Sequence, residues 1–196
     1  MKELVFVTNN RHKLSEINAI IGEQFRVLSL AEIGCQEEII EDSLTIEGNA
    51  SLKSWFVWNK YRRDCFADDT GLEIVALDGR PGVKSARYAG DDCIAANNIR
   101  KVLSELDGVT DRRARFRTVI SLILDGKEYQ FEGTVEGTIM EELRGQEGFG
   151  YDPVFLPDGY GQSFAEMAAD EKNRISHRGR ATRKLIDYLM HSASFR

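Results

Sequence analysis

Apolar and polar positions change period several times along the chain, and each change marks an element. Residues 4–8 form a short apolar run that stops at Asn9-Asn10, after which Leu14, Ile17 and Ile21 recur at helical spacing. That pattern predicts a strand turning into a helix near Lys13. Residues 25–30 read as a second strand. An acidic, irregular stretch with Glu37, Glu38, Glu41 and Asp42 then leads to a helix over about 47–61, on which Asn49, Lys53, Phe56 and Lys60 share one face. Residues 65–67 predict a short strand entering Asp68-Asp69-Thr70-Gly71, and 72–77 a separate strand leaving it, so a carboxylate pair is expected in a loop between two strands.

Further on, Asp91 or Asp92 is placed to cap a helix whose apolar stripe is Ile99, Val102, Leu103 and Leu106, ended by Gly108. The period then falls to two. Ala114, Phe116, Thr118, Ile120, Leu122 and Leu124 alternate with other side chains, and Asp125-Gly126 turns this strand back into 129–135 as a hairpin. Glycines 145, 148 and 150 punctuate a loop, 154–156 is a short strand, and Ala181, Leu185 and Leu189 mark a final helix whose N-cap is expected at Ser176. Alternating β-α-β and hairpin segments imply an α/β protein with a mixed sheet, the hairpin region forming a second lobe within one domain over 1–196. A cleft between lobes is the expected ligand site.

Composition narrows the classes. The chain has 196 residues, 42% of them hydrophobic and only three of them proline, which is enough apolar surface to offset ordering entropy. The longest apolar runs, such as 119–124, have about six residues against the roughly 20 needed to span a bilayer, and the N-terminal run is too short for a signal-peptide core; a cytoplasmic protein is expected. Cys35, Cys65 and Cys93 are odd in number and lack a CxxC pair, so neither a disulfide framework nor a zinc site is supported. Twenty-six Lys and Arg against 32 Asp and Glu leave a net charge of −6, which opposes a nucleic-acid partner. The run Arg112, Arg113, Arg115 and Arg117 has no interleaved aromatics and reads as a solvated strand face.

Four segments can carry chemistry. Thr8, Asn9, Asn10, Arg11, His12 and Lys13 follow a strand and open a helix, a place where backbone N–H groups and two cations can cradle a phosphate; an ordinary capped turn has the same pattern, and no Walker A sequence is present. Alternation sends Asp68 and Asp69 to opposite sides of an extended segment, Asp69 expected to face the ligand and hold Mg²⁺ or accept a proton from water while Asp68 braces the loop; Glu41 can supply a second ligand, and a turn using Asp for its local hydrogen bonds has the same pattern. Asn49 and Lys53, one turn apart, can reach a phosphate together or pair with Glu47 and Asp42. Residues 172–180 gather four cations and one histidine in an acidic chain: Lys172, Arg174, His177, Arg178 and Arg180. They suit the roughly four negative charges of a triphosphate, or else a solvated helix face, although an N-cap at Ser176 would place His177 and Arg178 at a helix N-terminus facing outward from the strand ends. Phe149, Gly150, Tyr151 and Asp152 offer two rings, a permissive glycine and a carboxylate, either for stacking a base or as core residues at a bend.

Taken together, the motifs resemble, end to end, the inosine triphosphate pyrophosphatase family, the Ham1-like noncanonical purine nucleoside triphosphate pyrophosphatases. The resemblance rests on TNNRHK at 8–13, EGNASLK at 47–53, ADDTGL at 67–72, PGVKSARY at 81–88, GFGYDPVF at 148–155, SFAEM at 163–167, Lys172 and SHRGRA at 176–181. Gly48 departs from it, many relatives having a larger, often acidic residue there. The resemblance implies a long mixed sheet flanked by helices, two lobes with the nucleotide between them, and a homodimer. It implies Mg²⁺-dependent hydrolysis of ITP, dITP and XTP to the monophosphate and pyrophosphate, clearing the nucleotide pool. Asp69 would be proton acceptor and magnesium ligand with Glu41 beside it; Asn10, Lys13, Lys53 and Thr70 would hold phosphates; Phe149, Gly150, Tyr151, Asp152, Lys172, His177 and Arg178 would bind the nucleotide and its base. A Maf-like pyrophosphatase of other base preference and a non-catalytic nucleotide-binding regulator are the alternatives.

Overall fold

The computed structural model describes residues 2–21 and 25–192. It is an α/β fold built on a mixed seven-stranded sheet of order β2-β1-β3-β5-β6-β7, with β4 paired to β3. Strand β1 (Glu3–Phe6) lies parallel to β2 (Arg26–Leu28) and to β3 (Cys65–Ile74), while β4 (Pro81–Gly82) runs antiparallel to β3. Strands β5 (Arg113–Leu124) and β6 (Lys127–Ile139) are joined by Asp125 and Gly126, both at positive φ as a two-residue hairpin turn requires. Strand β7 (Phe155–Pro157) closes the sheet antiparallel to β6. Helices α1 (Arg11–Ile21), α2 (Ile46–Tyr61), α3 (Ala95–Glu105), α4 (Ala169–Ile175) and α5 (His177–His191) complete the chain.

Two local expectations are corrected. Residues 65–74 are one uninterrupted strand, so the carboxylate pair stands inside β3 and not in a loop, and 75–77 form a 3-10 turn. A strand buried along most of its length can carry Asp68 and Asp69 because their charges find partners. Helix α3 is capped by Ile94, which offers no side-chain acceptor; Asp92 stands two residues earlier and accepts from Ile94 N at 3.4 Å. Helix α4 went unread in the sequence because its seven residues are too few to show a period.

The chain divides into two compact units. Unit 1 comprises Met1–Asp69, Thr118–Gly133 and Arg178–Arg196; unit 2 comprises Thr70–Arg117 and Thr134–His177. In unit 1 the parallel strand β1 and the first residues of β3 are apolar on both faces, as parallel strands covered by helices must be. Leu4, Phe6, Phe66, Ile120 and Leu122 pack with Ile17 of α1 and Leu185 and Leu189 of α5. Their neighbours Val5, Val7, Cys65, Ala67 and Ile123 pack with Val57 of α2 on the other face. Phe6 stacks on Phe66 with centroids 4.6 Å apart. The core of unit 2 joins Ile99 and Val102 of α3 to Phe116, Ile139, Phe155 and Phe164.

The arginine run is tied down by its own chain. Arg112 donates to the carbonyls of Leu106, Ile139 and Met140, Arg113 pairs with Asp111, and Arg115 pairs with Glu73. No helix among the described residues is long and apolar enough to cross a membrane.

A polar knot fastens α2 to the hairpin within unit 1. The Glu128 carboxylate accepts from Ser51, from Ser121 Oγ at 2.8 Å, from Trp55 Nε1 at 2.8 Å and from Gln130 Nε2 at 3.0 Å, while Ser54 Oγ meets Ser121 Oγ at 2.6 Å. Burial raises the pKa of Glu128, but these four donors outweigh it and hold the group below the ordinary glutamate value. A carboxyl with a lowered folded pKa stabilises above its unfolded pKa of about 4.3, and the contribution is lost as pH falls through the folded value. Glu128→Ala is therefore expected to cost about 1–2 kcal/mol at pH 7, an amount limited by partial solvent screening, and the gap to the parent protein should narrow below about pH 4. Denaturant midpoints at pH 7 and pH 3.5 check both parts.

Candidate functional site

In unit 1 the alternation of β3 distributes the two carboxylates between the two helical layers. Asp68 follows Phe66 onto the face of α1 and α5, where its Oδ1 lies 3.0 Å from Lys13 Nζ and its Oδ2 3.1 Å from Arg178 Nε. Arg178 also meets Glu16 Oε2 at 2.5 Å. The Asp68 side chain is 0% and that of Arg178 2% exposed, so this is a buried charge network. Lys13 and Arg178 hold the Asp68 carboxyl well below the usual range despite its burial, and burial lowers the Lys13 pKa even with Asp68 beside it.

Asp69 follows Ala67 onto the face of α2. Its Oδ2 accepts from Asn49 Nδ2 at 3.4 Å, and its Oδ1 lies 3.7 Å from Lys53 Nζ. Lys53 Nζ donates to Glu41 Oε2 at 2.7 Å and to the Asp68 carbonyl at 2.8 Å. Burial pushes the Asp69 pKa up, further aided by Glu41 and Asp68, and the opposing pull of Lys53 and Lys13 does not cancel it. A carboxylate whose pKa is raised is a better proton acceptor than an ordinary one. Asn49 and Lys53 thus turn inward, although a pairing with Glu47 and Asp42 at the surface was an open reading of the sequence.

The loop before α1 is organised as a cap. Asn10 Oδ1 accepts from His12 N at 2.9 Å and Lys13 N at 3.2 Å, and Thr8 Oγ1 accepts from Asn10 N at 3.1 Å. Asn9, Arg11 and His12 are exposed, while Lys13 reaches the charge network.

A second cluster lies in unit 2. Lys172 Nζ is 2.7 Å from Asp152 Oδ2, which also accepts from Phe149 N at 2.8 Å, and the same ammonium sits 5.1 Å from the Phe149 ring centroid. Gly148, at φ +76°, makes this possible, since a Cβ there would come within 2.2 Å of Asp152 Oδ2. Phe149 is half-buried, whereas Tyr151 is a core residue whose hydroxyl donates to the Ser85 carbonyl at 2.9 Å. The two rings of this motif therefore separate, one partly open and one interior. His177 stacks on Phe116 with centroids 4.5 Å apart. Thr70 and Gly150 are half-buried in the same unit.

The outward direction expected for His177 and Arg178 is corrected: both are buried, and only Arg174 and Arg180 of the basic run are exposed. The cause is local. Helix α4 ends at Ile175 and Ser176 is extended before α5 begins, so the first turn of α5 enters the interior. Sequence reading also passed over Glu16. The signal available was the helical spacing of Lys13 and Glu16 on a face next to the apolar stripe.

The donor set fits a hard divalent cation held in part by a ligand. Glu41 and Asp69 converge on one Lys53 ammonium, and Mg²⁺ takes one or two protein carboxylates together with phosphate oxygens. Among the described residues no group of three or more His, Cys, Asp or Glu is arranged to hold a metal unaided.

Residues 4–188 match the model of the Ham1 family. The chain belongs to the Ham1 family. It is 53% identical over 191 residues to a dITP/XTP pyrophosphatase of Porphyromonas gingivalis, covering 97% of this chain and 98% of the relative. It is 51% identical over 186 residues to one of Flavobacterium psychrophilum, covering 95% and 98%. Its fold matches a Ham1 protein from Coxiella burnetii with TM-score 0.90 and 35% identity, covering 98% of this chain and all of that one. A Staphylococcus aureus Ham1 protein matches with TM-score 0.88 and 38% identity over 96% and 98%. The Ham1 assignment sets aside the Maf-like alternative.

Removing the Asp68 charge takes from Lys13 and Arg178 the carboxylate that they share. Asp68→Asn keeps the shape and is expected to destabilise the protein by about 3–5 kcal/mol, the usual cost of breaking a buried pair. Urea unfolding measures it, and a loss below about 1 kcal/mol would show that water already screens Lys13 and Arg178.

Proposed function

We propose that the protein hydrolyses noncanonical purine nucleoside triphosphates, ITP, dITP and XTP, to the monophosphate and pyrophosphate. The observation that carries this is the buried Asp69 carboxylate with its raised pKa, beside Lys53 and Glu41, in a Ham1-family chain whose relatives are named dITP/XTP pyrophosphatases.

In this reading Asp69 accepts the proton of the attacking water as the α–β phosphoanhydride bond breaks and pyrophosphate leaves. Asn49 holds one Asp69 oxygen, which orients the other toward the water. Lys13 and Lys53 lie close enough to the carboxylates to offset phosphate charge. Glu41 and Asp69 would hold Mg²⁺, which when bound neutralises phosphate charge and polarises the phosphoryl oxygens. Within unit 2 the partly open Phe149 ring offers a face on which a purine can stack, and Lys172 an N–H donor suited to a 6-keto oxygen. Two nitrogens of Arg178 are already bonded to Asp68 and Glu16, so its role is to brace Asp68 rather than to read the base. Magnesium, a homodimer and a cytoplasmic location belong to the same reading through the family resemblance.

Adenine presents an amino donor where hypoxanthine presents an acceptor, and a buried mismatch of that kind discriminates strongly. Guanine shares the 6-keto oxygen, so the rejection of GTP requires that its 2-amino group go unpaired. Incubation with ITP should release pyrophosphate and IMP, with kcat/KM for ITP and XTP well above that for GTP. Orthophosphate with IDP, or equal kcat/KM values, would overturn the reading. Asp69→Asn is expected to lower kcat by about 10²-fold or more under saturating Mg²⁺, as loss of a general base does.

A further inference from the structure

Helix α2 begins without the side chain that usually completes such a cap. The hydroxyl of its N-cap, Thr45, accepts from Gly48 N at 3.0 Å. In a capping box the residue at the third helical position, commonly Glu or Gln, reaches back to the N-cap N–H. Here that position is Gly48, and Thr45 N donates instead to Ser43 Oγ at 3.2 Å. A Cβ on Gly48 would lie 1.9 Å from Ser43 Oγ and 2.8 Å from Ser43 Cβ, so Ser43 occupies the volume that a third-position side chain fills. Rotating Ser43 would relieve Oγ but leave Cβ where it is. Any side chain at 48 therefore displaces the backbone of residue 43.

That backbone is coupled to the carboxylates. Ser43 N donates to Asn49 Oδ1 at 2.9 Å, the Nδ2 of the same amide donates to Asp69 Oδ2 at 3.4 Å, and two residues upstream Glu41 meets Lys53 at 2.7 Å. We propose that Gly48 and Ser43 are a matched pair of positioning residues: the bare third position of α2 seats Ser43, which locks the 41–45 loop and, through Asn49 and Glu41, sets the Asp69 carboxylate for proton transfer. This rests on the reading of Asp69 as proton acceptor.

Gly48→Gln tests it, because the neutral amide completes an ordinary capping box without adding charge beside Asp69. The helix keeps its cap, so thermal midpoints should stay within a few degrees. kcat for ITP should fall by about tenfold or more with KM changed less than about twofold, as expected when a reacting group is misplaced. The residue-43 amide should lose its protection from hydrogen exchange. Adding Ser43→Gly to Gly48→Gln removes the two clashing atoms and should recover both kcat and the protection, a coupling that a double-mutant cycle isolates. Gly48→Ala, which adds only the Cβ, should move both readouts in the same direction as Gly48→Gln. The proposal is overturned if Gly48→Gln keeps parental kcat and protection, or if the double variant is no better than the single one at matched stability. Failure of the parent protein to release pyrophosphate would instead sink the functional reading, and the exchange measurement would still decide the Gly48–Ser43 pair.

Discussion

The ion network around Asp68 is the constraint on which the candidate site of unit 1 depends. A carboxylate in the middle of a sheet with no exposed surface is tolerable only when opposite charge and hydrogen bonds meet it, and here Lys13 and Arg178 do so. Those two residues begin helices at opposite ends of the sequence, α1 and α5. Both helices must therefore pack on one face of β3 for the charge to be satisfied, and the apolar pairs beneath them, Phe66 with Ile17 and Leu185, hold them there. Fold and charge network thus support each other.

Strand periodicity then determines what Asp69 can do. One residue along β3 the side chain points to the other face, away from Lys13 and Arg178 and toward α2. It meets Asn49 and Lys53 at moderate distances, without the direct saturation by two cations that holds the Asp68 pKa down. Burial therefore raises its pKa while that of Asp68 is lowered, so two adjacent carboxylates acquire different chemistry from their surroundings alone. Asp68 is saturated by cations, whereas Asp69 keeps a carboxylate that its surroundings hold less firmly in the charged form.

Unit 2 uses a different device. Asp152 is folded back onto the loop that carries it, where it accepts from Phe149 N and pairs with Lys172, an arrangement that depends on the missing side chain of Gly148. Gly48 in α2 plays a comparable part in unit 1, so at both places a side chain that is absent makes room for a polar group that is present. The net charge of −6 is compatible with a polyanionic ligand because the cations that matter are concentrated in these clusters, and much of the basic surface suggested by Arg112, Arg113 and Arg115 is bound to the chain's own carbonyls and carboxylates.

The amino-acid sequence by itself determined the element order, because hydrophobic periods of two and 3.6 are local properties of the chain, and α1, α2, α3, the β5–β6 hairpin and α5 all stand where those periods place them. It also determined that Asp68 and Asp69 face opposite ways, since strand alternation is equally local, while the approach of Lys13, Asn49 and Lys53 to them was left to the tertiary fold. Tertiary structure decided the rest. The continuity of β3 through Asp68 and Asp69, the inward turn of His177 and Arg178, the interior position of Tyr151 and the short helix α4 depend on partners distant in sequence. Whether a charged residue is a solvated face or a buried pair is a question of which opposite charge comes within about 3 Å, and in Arg178 that charge comes from Asp68, 110 residues away.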